Sequence, residues 1–151
     1  MGEINKVVVH YLNGQILKGT TQDFFPNRPL FHMQPLDGGA AHEVRIKDLK
    51  AVFFVRDYEG NRARRDLRGF VAAPAETSQG KKIAVQFKDG ELLCGYSLSY
   101  SPERLGFFMF PADPGSNNLR VFVVRTAARY IKAGPAADAL AQQIIDRSEA
   151  A

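Results

Sequence analysis

Arg28 and Arg104 occupy matching places in two turns, Pro-Asn-Arg-Pro and Pro-Glu-Arg-Leu. Each guanidinium carries five N–H donors in a fixed fork. Two uses of that fork are open. It can grip an anion, a phosphate or a partner carboxylate, or it can lock its own loop by donating to loop carbonyls or to Asp37 and Asp113. The thiol and imidazole groups offer less. Cys94 is the only cysteine, with no histidine close in sequence, and reads as an inert thiol. Intrachain disulfides are thereby ruled out, which suits a reducing compartment. His10, His32 and His42 have no recognised ligand spacing, so no metal site is expected. Gly-x-Ser-x-Gly, a phosphate-cradling glycine loop and a paired-acid pattern are all missing from the sequence. The expectation is therefore a protein that is not an enzyme, with no catalytic residue and no cofactor.

A second basic group, Arg62, Arg64, Arg65 and Arg68, is interleaved with Asp57, Glu59 and Asp66. Mixed signs of this kind describe a solvated linker, or a nucleic-acid stripe if aromatics stand nearby as stacking platforms. Phe25 and Tyr100 are the candidates for such platforms. The formal charge of +4 is concentrated between residues 81 and 133, a surplus compatible with nucleic acid that does not demand it.

The elements that would position these residues are written twice. Displacing the chain on itself by 76 positions aligns Lys6–Gly39 with Lys82–Gly115, and twelve of the 34 positions are identical. Chance would supply roughly one match in fifteen at ordinary residue frequencies, so the pattern reads as an internal repeat. Val7, Val9, Tyr11, Phe31 and Met33, with Ile83, Val85, Phe87, Phe107 and Met109, alternate as the core face of strands does. Asn13-Gly14 and Asp89-Gly90 suit tight hairpin turns. Gly19 and Gly95, inside the second strand of each copy, ask for a bend or a close backbone approach.

Strands are expected at 6–12, 15–24, 30–34, 42–47 and 50–57, then at 82–88, 91–100, 106–110, 119–125 and 128–132. Beyond Gly115 the expected register shifts by one residue, matching Ile46 to Val123 and Phe53 to Tyr130. The predicted fold is all-β: tandem duplicated small five-stranded β-barrels packed together and closed by a C-terminal amphipathic helix. Its divisions are 1–57 for the first β-barrel repeat, 58–80 for a basic linker, 81–133 for the second β-barrel repeat and 134–151 for the helix. Each copy alone is near the lower limit for an independent core, so the two should pack on each other.

The run Ala51-Val52-Phe53-Phe54-Val55 does not alternate, which suggests a strand covered on both faces by the other copy or another subunit. In the second copy Phe108, Phe110 and Phe122 make both strand faces apolar, so these residues are candidates for an interface. Leu140 and Ile144 lie on the apolar stripe of the helix, which docks on its own barrel or on a partner. No run reaches the roughly 20 apolar residues of a membrane span, and residues 1–6 lack the apolar run of a secretory signal.

The hairpin Asn13-Gly14-Gln15-Ile16-Leu17-Lys18-Gly19, with Asp89-Gly90-Glu91-Leu92-Leu93-Cys94-Gly95, resembles the opening motif of Sm-like barrels, with Phe24 and Tyr100 at its aromatic position. That resemblance implies a small Sm-like or SH3-like barrel. It does not extend to the RNA pocket. The base-contacting Asp falls on Phe25 and Ser101, its Asn on Pro29 and Leu105, and the later Arg-Gly becomes Arg56-Asp57. The run Ser101-Pro102-Glu103-Arg104, Gly106-Phe107-Phe108, Pro111-Ala112-Asp113-Pro114 and Ser116-Asn117-Asn118 resembles an uncharacterised bacterial domain that occurs beside signalling modules such as PilZ and receiver domains. Arg64 and Arg68 match the first part of the PilZ ligand motif, and its second part is absent.

Together these observations point to a non-catalytic binding or regulatory module of a bacterial cytoplasm, acting through protein partners and self-association as a homo-oligomer. The alternatives are RNA or single-stranded DNA binding, and sensing of a small ligand or cyclic dinucleotide.

Overall fold

The computed structural model describes residues 4–58, 76–77, 80–113 and 116–150. The first half comprises β1 (Asn5–Tyr11), β2 (Ile16–Thr21), β3 (Leu30–Pro35), β4 (His42–Arg45) and β5 (Leu49–Val55). A two-residue strand, β6 (Glu76–Thr77), leads into the second half: β7 (Gly80–Phe87), β8 (Leu92–Ser97), β9 (Gly106–Pro111), β10 (Asn118–Val124) and β11 (Ala128–Ala133). The chain ends in α1 (Pro135–Ala150). A single 3-10 turn joins β4 to β5 and another joins β10 to β11. Among the described residues no helix is long and apolar enough to cross a membrane.

All strands belong to one antiparallel sheet in the order β11-β7-β8-β9-β10-β5-β1-β2-β3-β4, with β6 paired to β7. The all-β class and the C-terminal helix are as expected, whereas the two packed five-stranded barrels are here one sheet whose path is continuous from half to half and does not close on itself. Within it the halves pair alike. The fifth strand of each lies against the first, with Val9 opposite Val52 and Val85 opposite Ile131. The same bulge interrupts both pairings, between His10 and Tyr11 and between Ala128 and Tyr130. Phe31 faces Val44, and Phe107 faces Val123. The two phenylalanines are 76 apart and the two valines 79 apart, so the later register moves by three residues rather than one. Phe53, opposite Val8, therefore corresponds to Lys132, opposite Ala84, and not to Tyr130. The extra residues fall in the loop before β10, where sequence identity lapses.

Gly14 and Gly90 take positive φ at the hairpin tips, as the Asn-Gly and Asp-Gly pairs require. Gly19 and Gly95 meet a closer constraint. A Cβ on Gly19 would collide with the backbone carbonyl of Gln34, and one on Gly95 with that of Phe110. The second and third strands approach here because no side chain holds them apart.

Two cores result, separated by a shared wall. Val52 and Phe54 of β5 join Val7, Val9, Phe31, Met33, Phe122 and Val124 in the first. Ala51 of β5 joins Ile83, Val85, Phe107, Met109, Val121 and Val123 in the second, with Phe53 packed against it. Alternate residues of β5 and β10 point to opposite faces, so the two-stranded ribbon they form supplies both cores at once. This explains why Ala51–Val55 is apolar on both faces.

Candidate interaction surfaces

The ribbon accounts for the apolar residues of the second half. In its register Val121 faces Phe53, Phe122 faces Val52 and Val123 faces Ala51. Phe24 packs edge-on against Phe31, Phe54, Phe108 and Phe122, with centroids 5.0–5.7 Å apart. Each such pair contributes about 0.5–1.5 kcal/mol beyond the area it buries. Arg120 lies over the rings of Phe54 and Phe108 at 4.4 and 4.5 Å, sealing the rim by cation–π contact. The interface expected at Phe108 and Phe122 is one between the two halves of the chain: their apolar surface joins those halves, and Phe122 is wholly buried. Phe110 lies partly buried on β9.

Polar contacts tie the same seam at both ends. Asn117 donates from Nδ2 to the Asp57 carbonyl at 2.7 Å and accepts the Asp57 N–H at 3.2 Å. At the other end Lys50 of β5 donates to Asp89 at 2.7 Å and to Glu91 at 2.6 Å, and its Nζ sits 4.7 Å from the Phe87 centroid. Burial opposes the Lys50 charge, but the hydrogen bonds to both carboxylates prevail and its pKa is raised. The bond from Lys50 holds Asp89 below the ordinary carboxylate range. Burial, with help from nearby Lys50, lowers the pKa of His10, which stacks 4.6 Å from Phe53. These groups border a cleft of about 390 Å³ between the two hairpins. Of the two lysines on its lining, Lys50 is already matched by two carboxylates, and Lys88 is the other.

The helix supplies the second surface. Ala137, Leu140 and Ala141 bury themselves with Ala84, and Leu92, Cys94, Ala112 and Ile144 pack around them. Lys82 Nζ lies 3.0 Å from Asp138 Oδ1, pinning the first turn of α1 to β7. Leu140 and Ile144 therefore dock on the chain's own strands, the first of the two alternatives the sequence left open.

Among the described residues no helix lies on the matching face of the first half. Ile16 corresponds to Leu92, Lys18 to Cys94 and Leu36 to Ala112. The geometry agrees: Leu36 N–H donates to the Lys18 carbonyl at 3.2 Å, as Ala112 N–H does to that of Cys94 at 3.0 Å. Yet Ile16 is 51% exposed and Leu36 56%. Val8, the counterpart of Ala84, is buried. Tyr58 lies along one side, its hydroxyl donating to the Gly19 carbonyl at 2.8 Å while its own carbonyl accepts from Lys18 Nζ at 3.2 Å. Side-chain identity alone hid this face, because an isoleucine on a strand and a leucine just after one read as core.

Arg28 and Arg104 occupy equivalent turns, closed by Arg28 N–H to the Phe25 carbonyl at 3.1 Å and Arg104 N–H to that of Ser101 at 3.3 Å. Both side chains are exposed. The Arg28 guanidinium stacks 4.5 Å from the Phe25 centroid, and Asp37 Oδ1 accepts the Gly39 N–H at 2.9 Å. Arg104 contributes its carbonyl, which accepts from Arg125 Nε at 3.1 Å. The two expected aromatic platforms diverge: Phe25 is exposed, whereas Tyr100 packs edge-on against Phe107 at 4.9 Å and belongs to the second core. Tyr100 is thereby corrected from stacking platform to core rim. Arg62, Arg64, Arg65 and Arg68 lie outside the described residues.

One polar pair was not foreseen. Asp23 Oδ2 lies 2.7 Å from His32 Nδ1, and Asp23 Oδ1 accepts the His32 N–H at 2.9 Å. Burial works against the Asp23 charge, but these bonds from His32 outweigh it and lower its pKa. The second half has Ser99 and Phe108 at these positions, so the pair closes the β2–β3 turn of the first half alone. A separation of nine positions concealed it from spacing arguments.

No curated protein and no solved structure matches the chain. The sequence profile of DUF6982, a family of unknown function, matches residues 3–133, a span that takes in every described strand, and the chain belongs to that family.

Proposed function

We propose that the chain is a non-catalytic binding module built from a duplicated small-barrel unit, and that it acts through a protein partner docked on the outer face of its first half. The observation that carries this reading is the exposure of Ile16 and Leu36 at positions whose counterparts, Leu92 and Ala112, lie beneath α1. The occupant this face fits is an amphipathic helix, since α1 supplies the template on the matching face. A carboxylate in its first turn would meet Lys6, as Asp138 meets Lys82. Exposed apolar residues on either side of an exposed lysine, Lys18, suit such docking.

The test is quantitative affinity capture from the native host with wild-type protein and with the double variant Ile16→Asp, Leu36→Asp. A defined set of partners is expected to disappear with the variant, while its melting temperature stays within a degree or two of wild type. Capture of the same set by both proteins would contradict the reading.

A second reading, binding of RNA or single-stranded DNA, is favoured by one observation, the exposed Phe25 ring with Arg28 stacked on it. Base–aromatic stacking with an adjacent cation is how sequence-tolerant single-strand binders work. It predicts affinity that falls steeply with salt and drops further in Phe25→Ala. Lack of binding at low salt would end it.

A further inference from the structure

The sheet order divides into β11-β7-β8-β9-β10 and β5-β1-β2-β3-β4. The two sets meet where the fourth strand of the second half, β10, pairs with the fifth strand of the first, β5. This contact is head-to-tail, so it leaves the opposite kinds of edge at the two ends of the path. One end is β4, a fourth strand like β10; the other is β11, a fifth strand like β5. We infer that the β4 edge of one chain pairs antiparallel with the β11 edge of a second copy, continuing between molecules the ladder that β10 and β5 form within one.

The main chain is already aimed for it. Ile46 N–H donates to the Pro29 carbonyl at 2.9 Å, and Gly134 N–H to that of Lys82 at 3.0 Å. Successive residues of a strand direct their N–H and C=O groups to opposite sides. Glu43 and Arg45 on β4, and Ile131 and Ala133 on β11, therefore direct theirs away from β3 and β7. Among the described residues both outer edges are unpaired, and unpaired ladder groups are ready templates for another strand. The apolar residues of the helix pack against Ala84, Leu92, Cys94 and Ala112, on the interior strands and the turn after β9.

The register follows from the internal junction. Phe122, opposite Val52, corresponds to Glu43, because Phe122 faces Phe108 as Glu43 faces His32. Val52 corresponds to Ile131. Glu43 of one copy thus lies opposite Ile131 of the other, and His42 opposite Lys132. These edges are more polar than Phe122, Val121 and Phe53, so the contact is a reversible one that dilution dissociates. A heterologous contact of this kind uses one β4 and one β11 per joint. It is separate from the Ile16 and Leu36 face, so Ile16→Asp with Leu36→Asp leaves it intact.

The experiment is sedimentation velocity on the full chain across a concentration series. Wild type is expected to shift from monomer toward larger species as concentration rises. Glu43→Pro removes an outward N–H from β4, and Ala133→Pro does so on β11, without touching a ladder bond inside the molecule. Each variant alone, checked for a native melt, is expected to sediment as monomer. An equimolar mixture is expected to give a dimer and nothing larger, because each partner retains the edge the other lacks. Independently of proline, His42→Cys mixed with Lys132→Cys, both in a Cys94→Ser background, is expected to form an interchain disulfide. Wild type monomeric at the highest concentration, variants that associate as wild type does, or a mixture that yields neither dimer nor cross-link would overturn the inference.

Discussion

Leu92, Cys94 and Ala112 lie beneath α1, while Ile16, Lys18 and Leu36 at the matching positions of the first half face outward. The seam shows a parallel contrast. Phe122 and Val121 fill the internal β10–β5 junction, and Glu43 and His42 stand at the corresponding places on β4, whose outer edge is unpaired among the described residues. One backbone pattern has thus been given two kinds of surface. Where the contact is permanent the residues are apolar and aromatic. Where it is open they are charged, or apolar singly, which keeps an edge strand from pairing indiscriminately. The second half carries the helix-covered and seam-filling residues, and the first half leaves Ile16, Lys18, Leu36, His42 and Glu43 exposed at matching positions.

Substitution at the seam should separate these roles most sharply. Phe122→Ala removes a wholly buried ring that touches Phe24 and Phe108, and a loss of about 3–5 kcal/mol in urea unfolding is expected. Glu43→Ala, at the equivalent free position, should change stability by less than about 0.5 kcal/mol. Similar losses for the two would erase the distinction between junction and edge. A smaller effect is expected at the faces. Leu140→Ala empties the space between α1 and β7, for a loss of about 2 kcal/mol, whereas Leu36→Ala should be nearly neutral.

The smallest effect is electrostatic. Asp89 has a folded pKa below its unfolded value, so its contribution is present above that unfolded value, near 4, and is lost as pH falls through the folded one. Lys50 has a folded pKa above its unfolded value, near 10.4, so its contribution is present below that pH and fades as pH rises through the folded pKa. Lys50→Met should flatten the stability–pH curve at both ends, as read by thermal melts between pH 3 and 11. An unchanged curve would remove the bridge from the seam.

Much of this architecture was legible in residue order. The hairpin dipeptides, the glycine in each second strand and the period-two apolar runs mark the strands to within a few residues at most ends. The unbroken Ala51–Val55 run announced a strand with two covered faces. The identity of its neighbour was not legible, because β5 could equally have met β4 or another molecule. The three-residue shift escaped notice since an insertion in a polar loop leaves no periodic trace. Lys50, Asp89 and Glu91 look like ordinary surface charges until a fold brings residues some 40 apart together. Phe108 and Phe122 were recognised as interface residues, but the interface they form lies inside the chain.

The central claim is that β5 and β10 form one wall serving two cores, so that the halves stand or fall together. Native-state hydrogen exchange resolved along the chain tests it most directly. The account predicts that amides of β5 and β10 exchange only through global unfolding, at one common and slowest rate, with β4 and β11 opening far more easily. Fast exchange in β5 or β10, or two halves that open with separate free energies, would contradict it.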